Sequence, residues 1–163
     1  MMTPLDLEGL LDTPLRLRRR PEPMAGDLRI GWGMAAVLII LEYSRSHRSS
    51  FQRLHFLGHA MRTDEGRDFA KSLLMPGRQR PLPLVRAQPW LNRAVGFAAA
   101  LDLIKVDGKT IALTPTAGEA AVKELGSQSD LMTTERFFLA EIKPFATEKN
   151  IEAAMRVERG LWA

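Results

Sequence analysis

A mainly α-helical fold carrying one β-hairpin is predicted by three features of the sequence. Apolar residues recur at helical spacing in several windows between Leu28 and Val157. One window alternates instead: Leu103-Ile104-Lys105-Val106, then Asp107-Gly108, then the return Thr110-Ile111-Ala112-Leu113. Clusters of Pro, Gly and Ser separate these windows at lengths typical of short helices.

Taken in order, residues 1–27 read as an extended N-terminal arm, because Pro4, Pro14, Pro21 and Pro23 surround the run Arg16-Leu17-Arg18-Arg19-Arg20. Met34, Val37, Leu38 and Leu41 then predict a mostly buried helix over Gly33 to Tyr43, although its Val and Ile residues also suit a strand. After a polar break at Ser44 to Ser49, Ser50 suits the N-cap of a second helix, Phe51 to Arg62. Leu54, Leu57 and Met61 share one face of it, opposite Gln52, His55, His59 and Arg62, and Phe56 falls on the polar side, where an exposed Phe is either incidental or an anchor for a partner.

A third helix is expected over Asp64 to Leu74, ending before Pro76 and Gly77. The Pro-rich connector Met75 to Pro89 cannot be regular helix. Pro89 fits the first position of a helix to Leu101, with Trp90, Ala94, Phe97, Ala98 and Leu101 as its apolar stripe. Asp107-Gly108 then supplies a two-residue type I′ turn for the hairpin. Thr114-Pro115-Thr116 opens another helix containing Ala117, Gly118, Ala121 and Leu125. Two more helices are expected at about Leu131 to Ile142 and Thr147 to Val157.

The length of 163 residues suits one compact domain with added helices. The division is an arm over 1–27, a folded domain over 28–126 and a C-terminal helical extension over 127–163 that packs on the domain or projects from it. With no Cys, a disulfide framework, a thiolate zinc site and a cysteine nucleophile are excluded. The longest apolar run, Gly31 to Leu41, is 11 residues and too short to span a bilayer. It also lacks the flank of a signal peptide, so the expected location is cytoplasmic, with no membrane partner. Residues 1–100 carry 15 Lys and Arg against 9 Asp and Glu, whereas residues 101–163 carry 8 against 10. Such asymmetry suits a phosphate-facing surface, since Arg and Lys displace counterions from a polyanion, but basic faces also occur on proteins that touch no nucleic acid.

Three helices, a hairpin and a further helix make the order of a winged-helix domain. The junction Leu101-Asp102-Leu103-Ile104, Asp107-Gly108, Leu113-Thr114-Pro115-Thr116-Ala117-Gly118 resembles the hairpin-to-helix junction of winged-helix families, where a Gly follows about four residues after the Leu-Thr. A hairpin covering the core edge of another α+β fold is the alternative. In helix-turn-helix proteins the helix before the wing enters the major groove. Here its outer face offers Asn92, Arg93, Gly96, Ala99 and Ala100, and only the first two carry polar side chains. Small residues instead admit another protein, and the wing tip Asp107-Gly108-Lys109 adds one charge of each sign.

Little in the sequence points to catalysis. His55 and His59 have the i, i+4 spacing of a zinc pair, but His55-Phe-Leu-Gly-His59 lacks the Glu of a metalloprotease helix and a third ligand. The glycines form neither a dinucleotide fingerprint nor a P-loop. The acid pairs Asp64/Asp68 and Glu148/Glu152 read as solvated helix faces, and Ser49 and Ser50 as caps. No catalytic, cofactor-binding or metal-ligating residue is expected.

The run Arg48-Ser-Ser-Phe-Gln-Arg-Leu-His-Phe-Leu-Gly-His-Ala-Met-Arg62, the stretch Pro83-Leu-Val-Arg-Ala-Gln-Pro-Trp-Leu-Asn-Arg-Ala94, and Leu101 to Gly118 are together similar to the small middle components of bacterial three-component ABC or SMC-type ATPase defence systems. The resemblance covers about Leu28 to Ile142. It implies a non-catalytic winged-helix adaptor bridging an SMC- or Rad50-like ATPase and an effector, often a nuclease, in defence against phage or plasmid DNA. The alternative is a free-standing winged-helix transcription regulator. Candidate contacts to partner or nucleic acid are Arg45, Arg48, Arg53, Phe56, Arg86, Asn92, Arg93 and Lys109.

Overall fold

The computed structural model describes residues 26–77, 89–128 and 130–160, with only the backbone described at 26–28 and 156–160. Helix α1 spans Gly26–Glu42. Ala35 to Leu41 are buried without a break, as expected of a helix apolar around its whole circumference. It starts about two turns before the expected Gly33 and takes in the last two residues assigned to the arm.

A short 3-10 turn, Arg45–His47, leads into strand β1, Arg48–Ser50, and helix α2, Phe51–Ala60. Ser50 caps α2 as expected: its hydroxyl accepts from the Arg53 amide at 3.0 Å, satisfying one of the unpaired N–H groups of the first turn. Helix α3 covers Asp64–Leu74, with Thr63 Oγ1 accepting from the Gly66 amide at 3.0 Å. Helix α4 is Pro89–Ala100, and the hairpin is β2, Ile104–Asp107, with β3, Thr110–Leu113. Helices α5 (Ala117–Ser127), α6 (Thr133–Ile142) and α7 (Glu148–Gly160) complete the chain. Most of the arm and residues 78–88 of the connector, with Arg86, lie outside the described residues.

The sheet is antiparallel in the order β1-β3-β2. Strand β1 was not expected from the sequence, because it is a polar triplet with no apolar pattern; it pairs with β3, Arg48 opposing Ala112 and Ser50 opposing Thr110. The turn also differs from the expected type. Asp107 pairs with Thr110, so Gly108 and Lys109 are the two central residues. Of these only Gly108 has positive φ, 56°, the pattern of a II′ rather than a I′ turn, which needs Gly at its first central position.

Around α1 pack α2, α4, α5 and β3. Helix, strand, helices and hairpin, with a sheet ordered β1-β3-β2, make a mainly helical, winged-helix-like arrangement. The C-terminal helices do not project from it. Phe138, Leu139, Ile142, Ala146 and Ile151 are buried in the same apolar cluster as α1, with α7 packed on α2 and α3.

The hairpin-to-helix junction is held by one side chain. Thr114 Oγ1 donates to the Asp102 carbonyl at 2.6 Å and accepts from the Gly118 amide at 2.8 Å, so it ties the end of α4 to the first turn of α5. A Cβ at Gly118 would overlap the Leu103 carbonyl oxygen. This overlap explains why Gly follows four residues after Thr.

Candidate partner and nucleic-acid interface

Period-two alternation sorts the sheet into two faces. Ser49, Ile111 and Leu113 face the core and are buried. On the outer face the register brings Arg48 and Lys105 to either side of Ala112. Both cations are exposed, and Lys109 is exposed at the turn below them. Lys105 was not singled out from sequence, although the alternation of β2 placed it outward beside the buried Ile104.

Arg45 and Arg48 also form part of the rim of an open cleft of about 870 Å³ between the 3-10 turn, α5 and the α6–α7 junction. Lys143 and Lys149 line it with them, as do Glu42, Glu119 and Glu148. Ser46 and His47, both at φ 53°, form its lip. Consecutive left-handed residues other than Gly cost about 1–2 kcal/mol each. His47 Nδ1 lies 3.9 Å from Glu119.

Arg53, expected on an exposed basic surface, is buried. Its Nε donates to the Ala146 carbonyl at 2.7 Å, and one terminal nitrogen donates to the hydroxyls of Ser44 and Ser49. Burial pushes its pKa below the ordinary arginine value, and Glu148 opposes that shift. Glu148 itself accepts from the Ser50 amide at 2.8 Å and from the Ser50 hydroxyl at 2.5 Å. Arg53 is thus a tie between α2 and the loop before α7, not a surface contact. Phe56, expected to be exposed, is also buried, at 1% exposure. Helix α2 is packed against α1, α3 and α7, so a flank that a helix considered alone leaves to solvent is covered.

Helix α4 turns a different face inward from the expected one. Leu91, Ala94, Val95 and Ala98 are buried, whereas Phe97 and Leu101 are 48% and 58% exposed. The outward surface therefore carries Phe97 and Leu101 among Arg93, Gly96, Ala99 and Ala100, all exposed. Asn92 Oδ1 lies 3.0 Å from His55 Nε2, which links α4 to α2 and occupies one of the two polar side chains expected to read bases. Burial lowers the pKa of His55, with the Asn92 bond opposing. His59 is lowered by burial and then by Arg62.

A second cleft, of about 550 Å³, is lined by Arg29, Trp32, Arg62, Trp90 and Glu135. The two indoles are 5.3 Å apart at 54°, and the Arg62 guanidinium lies 5.8 Å from the Trp90 ring centre. Trp90 packs against the α1 backbone at Gly33, where no side chain intervenes. The sequence put Trp90 on a core stripe; it is only half-buried.

The candidates therefore separate. Arg45, Arg48 and Lys109 lie on the exposed wing side, Asn92 and Arg93 on α4, Arg53 and Phe56 in the interior, and Arg86 outside the described residues. Among the described residues no group of three or more His, Asp and Glu is placed to hold a metal ion. Nor is any described helix long and apolar enough to cross a membrane.

Fold and surfaces together define a mainly helical, winged-helix-like module with an apolar helix face beside a basic sheet face. No family model, curated protein or solved structure matches the chain.

Proposed function

We propose that the chain is a non-catalytic cytoplasmic adaptor. In this reading it bridges an SMC- or Rad50-like ABC ATPase and an effector, a nuclease in the simplest case, in bacterial defence against phage or plasmid DNA. Besides the sequence resemblance, the observation that carries the reading is the outward face of α4. The helix before the wing offers Phe97 and Leu101 to solvent, flanked by Gly96, Ala99 and Ala100. Exposed aromatic and aliphatic side chains among small ones suit the centre of a protein interface. Reading DNA bases would call for side chains that donate to and accept from base edges.

The test is co-purification of the tagged protein, from its native host, with an ABC ATPase that carries Walker motifs flanking a long coiled coil. Phe97→Glu and Leu101→Glu should leave the fold intact, because both side chains already meet water, and should abolish capture of the ATPase. If the isolated protein gripped one short palindromic duplex at nanomolar concentration and captured no ATPase, the adaptor reading would be wrong.

The second reading, a DNA-binding transcription regulator, is favoured by Arg48 and Lys105 flanking Ala112 on the sheet, with Lys109 at the turn. It calls for a symmetric dimer and a steep loss of affinity with salt. Arg48→Glu with Lys105→Glu would then abolish duplex binding, whereas under the adaptor reading the same pair leaves ATPase capture unchanged.

A further inference from the structure

The cleft walled by Trp32 and Trp90 draws on four helices: Arg29 and Trp32 come from α1, Arg62 follows α2, Trp90 is in the first turn of α4 and Glu135 in the first turn of α6. We propose that it binds single-stranded nucleic acid, with a base against the Trp32–Trp90 wall and the flanking phosphates on Arg29 and Arg62.

Three features carry this inference. The two indoles are half-buried and stand at 54° to each other, so they form an angled wall that is fixed by packing yet meets the cleft. Every base has a flat π face, and stacking on such a wall gives affinity with little regard to sequence. The guanidinium of Arg62 lies over the Trp90 ring. At 5.8 Å from the ring centre it brings to the cleft a planar set of N–H donors of the kind that phosphate oxygens accept. Finally, the volume of about 550 Å³ is within the range that takes a small organic ligand, here one nucleotide unit.

Charge selects this occupant over a Pro-rich peptide, which also docks on aromatic walls. Among the described residues the cleft holds two guanidiniums and one carboxylate. The two Pro-rich stretches of this chain, 14–23 and 76–89, carry seven Arg against one Glu and would be repelled. Glu135 repels phosphate from its own wall and so turns a bound strand base-inward. Trp90 lies two turns before Phe97 on α4, so this site adjoins the outward face of that helix, but binding of a single strand by the protein alone does not depend on the adaptor reading.

The experiment titrates the full-length protein with a single-stranded DNA of about twelve nucleotides at low salt, read by tryptophan fluorescence and by anisotropy of a labelled strand. Binding should quench the fluorescence. Arg29→Glu with Arg62→Glu, both at exposed positions, should weaken it at least about tenfold and flatten the slope of log affinity against log salt by about 0.7 for each phosphate no longer neutralised. Trp32→Ala should weaken binding about fivefold or more, and Trp32→Phe, which keeps a ring, should recover part of that. A duplex of the same sequence should bind at least about tenfold less tightly, because its bases are already stacked. Absence of binding by the parent protein, equal affinity for the duplex, or an unaltered affinity in the folded double charge reversal would each overturn the proposal.

Discussion

Asp102 and Gly118 are two single residues on which the hairpin junction depends, and they call for opposite substitutions. Asp102 ends α4 in the left-handed region at φ 56°. Its amide donates to the Ala99 carbonyl at 3.0 Å, and the Leu103 amide donates to Ala98 at 2.9 Å, the paired bonds of a Schellman motif that usually carries Gly. An Asp there bears left-handed strain and places a negative charge at the negative end of the helix dipole. Asp102→Gly should therefore raise stability by about 0.5–1 kcal/mol, and Asp102→Asn by less, as read by urea unfolding. The Thr114 bond survives both, since it goes to the Asp102 carbonyl. Gly118→Ala should do the reverse. Its new methyl group meets backbone, which cannot swing aside as a side chain would, and the forced separation of α5 from the hairpin should cost about 2–3 kcal/mol. Equal stability of Gly118→Ala and the parent would mean that the junction is looser than its geometry implies.

Among the elements, α2 and α4 are joined by the His55–Asn92 hydrogen bond, and this joint is sensitive to pH. His55 and His59 both titrate below the ordinary histidine value because burial disfavours their charged forms. In the unfolded chain they take up protons as pH falls through about 6.5, before the folded protein does. The unfolded state therefore binds more protons in that window, and stability declines from about pH 7 downward until the folded pKa values are passed. Both rings remain partly solvated, so the effect is small. Melting temperature should fall between pH 7 and pH 5 more in the parent than in His55→Gln; parallel curves would remove His55 from the account. The same elements show what sequence can convey. Helix bounds followed from caps and prolines, and the hairpin from alternation around Asp107-Gly108, because these signals are local. The inward face of α4 was not legible. Leu91, Ala94, Val95 and Ala98 fit helical spacing as well as Trp90, Ala94, Phe97, Ala98 and Leu101 do, and the choice depends on what α1 presents at Gly33. Strand β1 was invisible because Arg48-Ser49-Ser50 has no apolar pattern of its own and its partners, β3 and the side chains of Arg53 and Glu148, lie elsewhere in the chain.

For the whole molecule, the question is whether residues 28–126 form a domain to which the last helices are merely attached. Ile151 of α7 and Leu139 of α6 share one apolar cluster with Ile39 and Leu41 of α1 and Leu54 of α2. Arg53 and Lys71 tie the same parts together, through the Ala146 carbonyl at 2.7 Å and Glu141 at 2.6 Å. The candidate sites have the same long-range character. Phe56 is buried among helices that pack on α2 from several parts of the chain, and the Trp32–Trp90 cleft takes Glu135 from α6, which no local pattern in residues 28–62 could reveal. One cooperative transition should follow. Ile151→Ala removes a fully buried branched side chain and should cost about 2–5 kcal/mol. Leu54→Ala, far away in sequence, should cost a similar amount. In both variants, far-UV circular dichroism and tryptophan fluorescence should report one shared midpoint with an unchanged denaturant slope, since coincident probes mark a two-state unit. A fluorescence transition left in place by Ile151→Ala while part of the helical signal melted early would instead divide the chain near residue 127. The C-terminal helices would then be a detachable layer, and the Trp32–Trp90 cleft would lose Glu135 whenever it lifted.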